Sequence, residues 1–117
     1  MSHFADRLTE ANRRSGTVLC MGIDPHAAMI PALFGAATPG TDGGISALGD
    51  FTAACLEQAL GRVAAIKPQA AFFEQYGPEG MVILASLARE AIAAGMLVVM
   101  DAKRGDIGST STAYAAG

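Results

Sequence analysis

The run Met96-Leu97-Val98-Val99-Met100-Asp101-Ala102-Lys103-Arg104-Gly105-Asp106 sets five apolar residues directly before a cluster of mixed charge. An apolar run without alternation predicts a strand buried on both faces, so Asp101, Lys103 and Asp106 fall at its carboxyl end. A charge withdrawn from water is costly unless it is paired, and Asp-x-Lys supplies a pair. The chain has only two lysines, Lys67 and Lys103, and each closes a short apolar run. Lysines that serve solubility are scattered over a surface, and these two are not.

Two further segments repeat the pattern. Thr17 to Ile23 reads as a strand buried on both faces and ends at Asp24-Pro25; Val63 to Ile66 reads as a strand closed by Lys67-Pro68. Helical periods lie between them. Residues 2–14 predict an amphipathic helix capped by Ser2, with Phe4, Leu8 and Ala11 on one face and Gly16 as its stop. Residues 46–61 predict a second helix with Ser46 as cap. Residues 78–94 predict a third, with Pro78 in its first turn, and 108–117 a fourth, capped by Ser109 or Thr110. Residues 26–45 and 69–77 read as loops, the first with room for a helical turn over 27–33. Apolar strands alternating with helices indicate parallel βαβ units, and no linker divides the chain.

Composition narrows the function classes. At 117 residues, the chain is 51% hydrophobic and only 16% charged. Small domains have more surface per volume and are usually more polar than this, so part of the sequence is expected to pack against something else. A formal charge of −3 runs against a nucleic-acid footprint, which would be basic; Arg13-Arg14 reads as a solvated helix end. Cys20 and Cys55 lack metal-ligand spacing and read as small core residues, and His3 and His26 as surface residues. The first 16 residues carry no apolar signal-peptide core, and no run reaches membrane-spanning length. The expected setting is the cytoplasm, with no membrane or nucleic-acid partner.

In parallel α/β folds, ligands bind beyond the carboxyl ends of the strands. Asp24, Lys67 and Asp101 stand at three such ends, with Lys103 and Asp106 on the loop that follows. Any one of them is explained as easily by helix capping or rim pairing. Five together, including both lysines, point to a site. Asp101 beside two ammonium groups stays ionised, and Lys103 is held protonated in turn. Such an array stabilises developing negative charge or delivers a proton. It is a poor metal site, because ammonium groups fill the space a cation would need. Gly40-Thr41-Asp42-Gly43-Gly44 lacks the spacing and the lysine of a phosphate loop.

From Val98 to Thr110 the sequence resembles the signature of orotidine 5′-phosphate decarboxylase: two apolar residues, any residue, Asp-x-Lys-x-x-Asp, an aliphatic residue, Gly or Pro, any residue, and Thr. Gly22-Ile23-Asp24-Pro25 resembles the family's first-strand Asp motif and Ile66-Lys67-Pro68-Gln69 its second-strand Lys motif. The long insertion after the first strand is similar to the longer bacterial branch. The resemblance implies an α/β fold, the first three βα units of a (β/α)8 TIM barrel with parallel strands. It implies loss of CO2 from orotidine 5′-monophosphate to give UMP, in de novo pyrimidine biosynthesis, with no metal or organic cofactor. By the same resemblance Lys67, Asp101, Lys103 and Asp106 form the charged tetrad. Asp101 faces the substrate carboxylate, Lys103 stabilises and protonates the carbanion, and Lys67 orders the network and touches the ribose. Asp24 binds a ribose hydroxyl. Asp106, Ile107 and Thr110 reach the neighbouring subunit's site, which implies a homodimer.

A whole barrel has eight strands and roughly 250 residues, against three strands here. The chain is therefore expected to be a single partial domain, 1–117, from the N-terminal part of a larger enzyme. The phosphate grip and the closing loop would lie outside it, and the segment alone would be inactive and marginally stable or aggregating. Three rivals remain. Mg2+-dependent sugar-phosphate decarboxylases of the same superfamily share Asp-x-Lys-x-x-Asp, with Glu74 as the one extra carboxylate near by. Schiff-base aldolases need a neutral lysine, the opposite of Lys103 between two carboxylates. A phospho-receiver domain needs five strands and an acidic pair at the first, where this chain has only Asp24.

Overall fold

The computed structural model describes residues 2–117. Three parallel strands, β1 (Cys20–Ile23), β2 (Ala65–Pro68) and β3 (Leu97–Val98), lie side by side in the order β1-β2-β3. Helices α1 (Phe4–Ser15), α2 (Asp42–Ala59), α3 (Ala71–Glu74), α4 (Gly77–Ala93) and α5 (Gly108–Ala116) come before, between and after them. A parallel sheet alternating with helices in this order is part of a (β/α) barrel.

The core forms where the helices lie against the sheet. Successive strand side chains point to opposite faces. Ile23 and Ile66 pack with Leu48 and Leu56 of α2, Phe73 of α3, and Leu84, Leu87 and Ala91 of α4. Ala65 and Leu97 pack instead with Ala11 and Leu8 of α1. Phe73 and Ile66 are fully buried. Helix α4 approaches α3 so closely that a Cβ on Gly80 would sit 2.1 Å from the Phe73 carbonyl oxygen, so only glycine fits there. The buried Tyr76 hydroxyl donates to the Ala37 carbonyl at 2.6 Å, tying the segment after β1 to the start of α4.

Several boundaries differ from the sequence reading. Helix α1 is capped at His3, not Ser2, with no side-chain cap, and it does stop at Gly16. Helix α2 starts at Asp42 because Thr41, rather than Ser46, accepts the Gly44 N–H at 2.9 Å; a cap of this kind contributes about 1 kcal/mol. The segment before it holds two single turns of 3-10 helix, Ala27–Met29 and Ala32–Phe34. The 69–77 segment, read as a loop, contains α3, and its aromatics Phe72, Phe73 and Tyr76 are buried. Neither Ser109 nor Thr110 caps α5. Ile107 is its N-cap, and the Asp106 carboxylate accepts the Ile107 N–H instead.

The first strand is the main correction. It was expected to be buried on both faces from Thr17 to Ile23, yet Val18 is 81% and Leu19 62% exposed, and Cys20 is exposed as well. The third strand, expected to be buried on both faces over Met96 to Met100, is regular only at Leu97–Val98, and Val99 and Met100 are exposed. The cause is position: among the described residues β1 and β3 each pair only with β2 and stand at the edges of the sheet. Cys20 is thus not a core residue, whereas Cys55 is half-buried against the α2 side of the core.

Candidate active site

Backbone pairing brings the strand ends together. Gly22 lies level with Lys67 in the β1–β2 register, and Gln69 with Asp101 in a bridge just beyond β2 and β3. The Asp101 N–H donates to the Pro68 carbonyl at 3.1 Å and the Ala70 N–H to the Asp101 carbonyl at 2.9 Å. Asp101 is therefore held to the segment around Gln69 through both its N–H and its carbonyl before its carboxylate makes any contact.

Its side chain then collects both lysines. Lys103 Nζ stands 3.0 Å from Asp101 Oδ1 and 3.3 Å from Oδ2, and Lys67 Nζ 4.0 Å from Oδ2. Lys103 Nζ also lies 3.2 Å from Asp106 Oδ2. This last contact needs the loop to turn back within three residues, and Gly105 allows it with φ +70°. The ammonium of Lys103 sits between two carboxylates in the order that the Asp-x-Lys-x-x-Asp spacing suggests.

The electrostatics follow from those contacts. The hydrogen bond from Lys103 holds the Asp101 carboxyl below its ordinary range against the opposing effect of burial, and the positive charges of Lys103 and Lys67 add smaller contributions in the same direction. Hydrogen bonds to Asp101 and Asp106 raise Lys103 above the usual lysine value. Lys103 is a fully charged ammonium at neutral pH, with its side chain 59% exposed toward the open side of the sheet. Asp106 is the most enclosed of the group.

The remaining sequence-predicted residues stand further out. Asp24 is exposed and lines one open cleft with Lys67, Gly22 and Phe51, but no cation lies within ion-pair distance of it among the described residues. Ile107 is 84% exposed and Thr110 half-buried in the first turn of α5. His3 is exposed as expected; His26 is half-buried, with its ring 4.1 Å from that of Phe72. Glu74 is engaged by the Arg104 guanidinium. Among the described residues no group of three His, Cys, Asp or Glu side chains is arranged to hold a metal ion.

Sequence reasoning missed a second layer behind the charges. Gln69 is buried, and its Oε1 accepts from the Tyr114 hydroxyl at 3.0 Å. Arg104 lies 4.5 Å from the centre of the Tyr114 ring while pairing with Glu74. These residues are up to 45 positions apart, and no local pattern joins them. The one available signal was a polar residue, Gln69, directly after an apolar strand.

Known proteins share this arrangement of sequence. The chain is 47% identical over 115 residues to the orotidine 5'-phosphate decarboxylase of Streptomyces coelicolor, covering 98% of this chain and 39% of that relative. It is 42% identical over 117 residues to that of Rhodopirellula baltica, with the same two shares. A crystal structure from Streptomyces avermitilis, assigned as an orotidine 5'-phosphate decarboxylase, superposes with a TM-score of 0.73 at 44% identity, over 98% of this chain and 38% of that one. The chain thus spans about two fifths of the length of the curated relatives it matches. A family model matches residues 17–117, from the lead into β1 through the charged loop to the last residue of the chain, and by that match the chain belongs to the orotidine 5'-phosphate decarboxylase / HUMPS family.

Proposed function

We propose that the protein carrying this chain removes CO2 from orotidine 5'-monophosphate to form UMP in pyrimidine biosynthesis, using no metal or organic cofactor. The observation that carries the reading is the Lys103 ammonium held between Asp101 and Asp106 at the end of β3. In the reaction the bond from C6 to the carboxylate breaks and its electron pair stays at C6. Asp101, kept ionised by its two lysines, faces the departing carboxylate and disfavours its charge. Lys103, kept protonated, stabilises the carbanion electrostatically and transfers its Nζ proton to C6. It then regains a proton from water.

Lys67 orders Asp101 and reaches the ribose, and Asp24, in the same cleft, binds a ribose hydroxyl. Asp106 fixes Lys103, and with Ile107 and Thr110 it completes the site of a second subunit in a homodimer. The high exposure of Ile107 supports a partner at that loop. The 117 residues alone are inactive, since their share of the relatives' length holds only part of a barrel. Among the described residues no helix is long and apolar enough to cross a membrane; the proposed setting is the cytoplasm.

The test is an assay of the intact polypeptide that contains this sequence, following UMP and CO2 from orotidine 5'-monophosphate with and without EDTA. Turnover unaffected by EDTA and lost in Lys103→Ala is expected. Turnover that survives Lys103→Ala would remove the proton-donor role, and a requirement for Mg2+ would favour a sugar-phosphate decarboxylase.

A further inference from the structure

The loop after β3 carries Lys103 and Asp106 with little main-chain support. Among the described residues, no backbone–backbone hydrogen bond involves residues 102–106; the next one along the chain runs from the Ser111 N–H to the Ile107 carbonyl at 3.3 Å. The Lys103 side chain is 59% exposed, and a free lysine side chain carries about 2 kcal/mol of rotamer entropy. A long side chain on an unsupported backbone wanders, so the place of its ammonium depends on what fixes the loop.

Arg104 supplies that support with one planar group. Its Nη1 donates to the Ala102 carbonyl and lies 3.4 Å from the Lys103 carbonyl oxygen. Those two carbonyls belong to the peptide groups on either side of the Lys103 Cα. Its Nη2 pairs with Glu74 Oε1, and its guanidinium carbon lies 4.5 Å from the centre of the Tyr114 ring. Among the described residues, Glu74 is the only hydrogen-bond or ion-pair partner that residues 102–106 find outside the stretch 101–107.

Both anchors are themselves fixed. Glu74 ends α3, whose Phe72 and Phe73 are buried, and the Ala70 N–H just before α3 donates to the Asp101 carbonyl at 2.9 Å. Tyr114 of α5 packs on Ala71, Phe72 and Ala113, and its hydroxyl donates to Gln69 Oε1 at 3.0 Å. Asp101 is thus tied to the start of α3 by main chain and Arg104 to its end by side chain, with Lys103 suspended between them. An exposed ion pair contributes little to stability, and Arg104 is 58% exposed, so what the contact supplies is placement.

We propose that Arg104 is a positioning residue for Lys103: its guanidinium clamps the two peptide carbonyls that flank Lys103 and ties them to Glu74 and Tyr114, which presents the ammonium to Asp101 and Asp106. The kinetic consequence rests on the decarboxylase reading; the geometric content does not. A lysine in place of Arg104 would keep the charge but lose the planar fork and its stacking face, which separates clamping from a positive charge that merely stands near the site.

The test uses the intact polypeptide. Misplacing a reacting group by about 1 Å can cost on the order of 100-fold in rate. Arg104→Lys is expected to lower kcat by about 10-fold, with KM within about twofold. Glu74→Ala is expected to lower kcat by roughly the same factor, and Glu74→Gln, which keeps an oxygen to accept from Nη2, by no more than about threefold. Because both residues act on one contact, Arg104→Lys with Glu74→Ala is expected to cost no more than about twofold beyond the larger single loss. Parental kcat in Arg104→Lys, or losses that multiply in the double variant, would overturn the proposal. A second readout needs no turnover. Lysines carrying 13C-methyl labels are titrated by NMR, with the Lys103 signal identified in each background by its loss on Lys103→Arg. The charged groups around this ammonium are Asp101, Asp106 and, through Asp101, Lys67; all remain in Arg104→Lys, as does the charge of the substituted side chain. The Lys103 midpoint is expected to fall there as the ammonium leaves its two carboxylates more often, and an unchanged midpoint would refute the clamp. If the unmodified protein lacks decarboxylase activity, the midpoint still decides the clamp while the reaction assignment alone fails. If Glu74→Ala does not fold, Arg104→Lys decides both readouts.

Discussion

The ends of β2 and β3 and the end of β1 belong to one sheet and are built differently. At β2 and β3, main-chain bonds, two lysines and two carboxylates restrain one another, with the Gln69–Tyr114 bond and the Arg104–Tyr114 contact beside them. At β1, Asp24 stands exposed beside a cleft and, among the described residues, no cation reaches it. Groups that must hold an unfavourable charge arrangement during bond breaking gain from being fixed in advance. A group that only accepts a hydroxyl from a ligand loses little by waiting for it. On the proposed function, the difference separates chemistry from binding along the edge of a single sheet.

Substitutions at the two ends should divide the same way. The largest effect is expected for Lys103→Ala in the intact polypeptide: kcat falls by about 1,000-fold or more, as for loss of a general acid that also carries charge. Circular dichroism and melting stay near those of the parent, because Lys103 is exposed. A fold lost along with activity would mean that the charge array serves structure. Asp24→Ala is expected to raise KM by roughly tenfold, the value of a hydrogen bond to a charged group, with kcat within a few-fold. A large fall in kcat there would erase the distinction between the two ends.

Stability against pH probes the braced end alone. Asp101 lies below its ordinary value, so its pairing stabilises the fold above that value and is lost as pH falls through the lowered one. Lys103 lies above its ordinary value, so its contribution is complete below that value and is lost as pH rises through the raised one. Both are present between roughly pH 4 and pH 10. Chemical denaturation across pH should show Asp101→Asn flattening the acid side of the profile. The smallest effect is expected for Tyr76→Phe, which removes the hydroxyl bonded to Ala37 and costs about 1 kcal/mol. It should leave both ends of the site intact by the same kinetic assay.

How far the molecule was legible in its sequence follows the same division. The parallel order, the three strand ends and the Lys103 contacts depend on short-range spacing, and Asp-x-Lys-x-x-Asp carries them in six residues. Helix α3 was hidden because it is only four residues long: Phe72, Phe73 and Tyr76 stand at helical spacing, but too few positions follow to establish a period. The exposure of Val18, Leu19 and Cys20 was hidden because an apolar run says that a strand wants covering, not that a neighbour covers it. The Tyr114–Gln69 bond was hidden by separation, since nothing near residue 69 names its partner near residue 114. Ser46 was read as the cap because it directly precedes apolar helical positions, whereas Thr41 precedes Asp42, Gly43 and Gly44, and only its bond to Gly44 marks it as the cap.

Lys103 and Arg104 are adjacent on a loop whose side chains are more than half exposed. That pair is a double cleavage site for a protease specific for basic residues, lying on top of the charge array itself. A ligand lodged against Lys103 would cover the same peptide bonds. Occupancy of the array can thus be read as a band that persists on a gel, for any candidate ligand and without assuming which reaction follows.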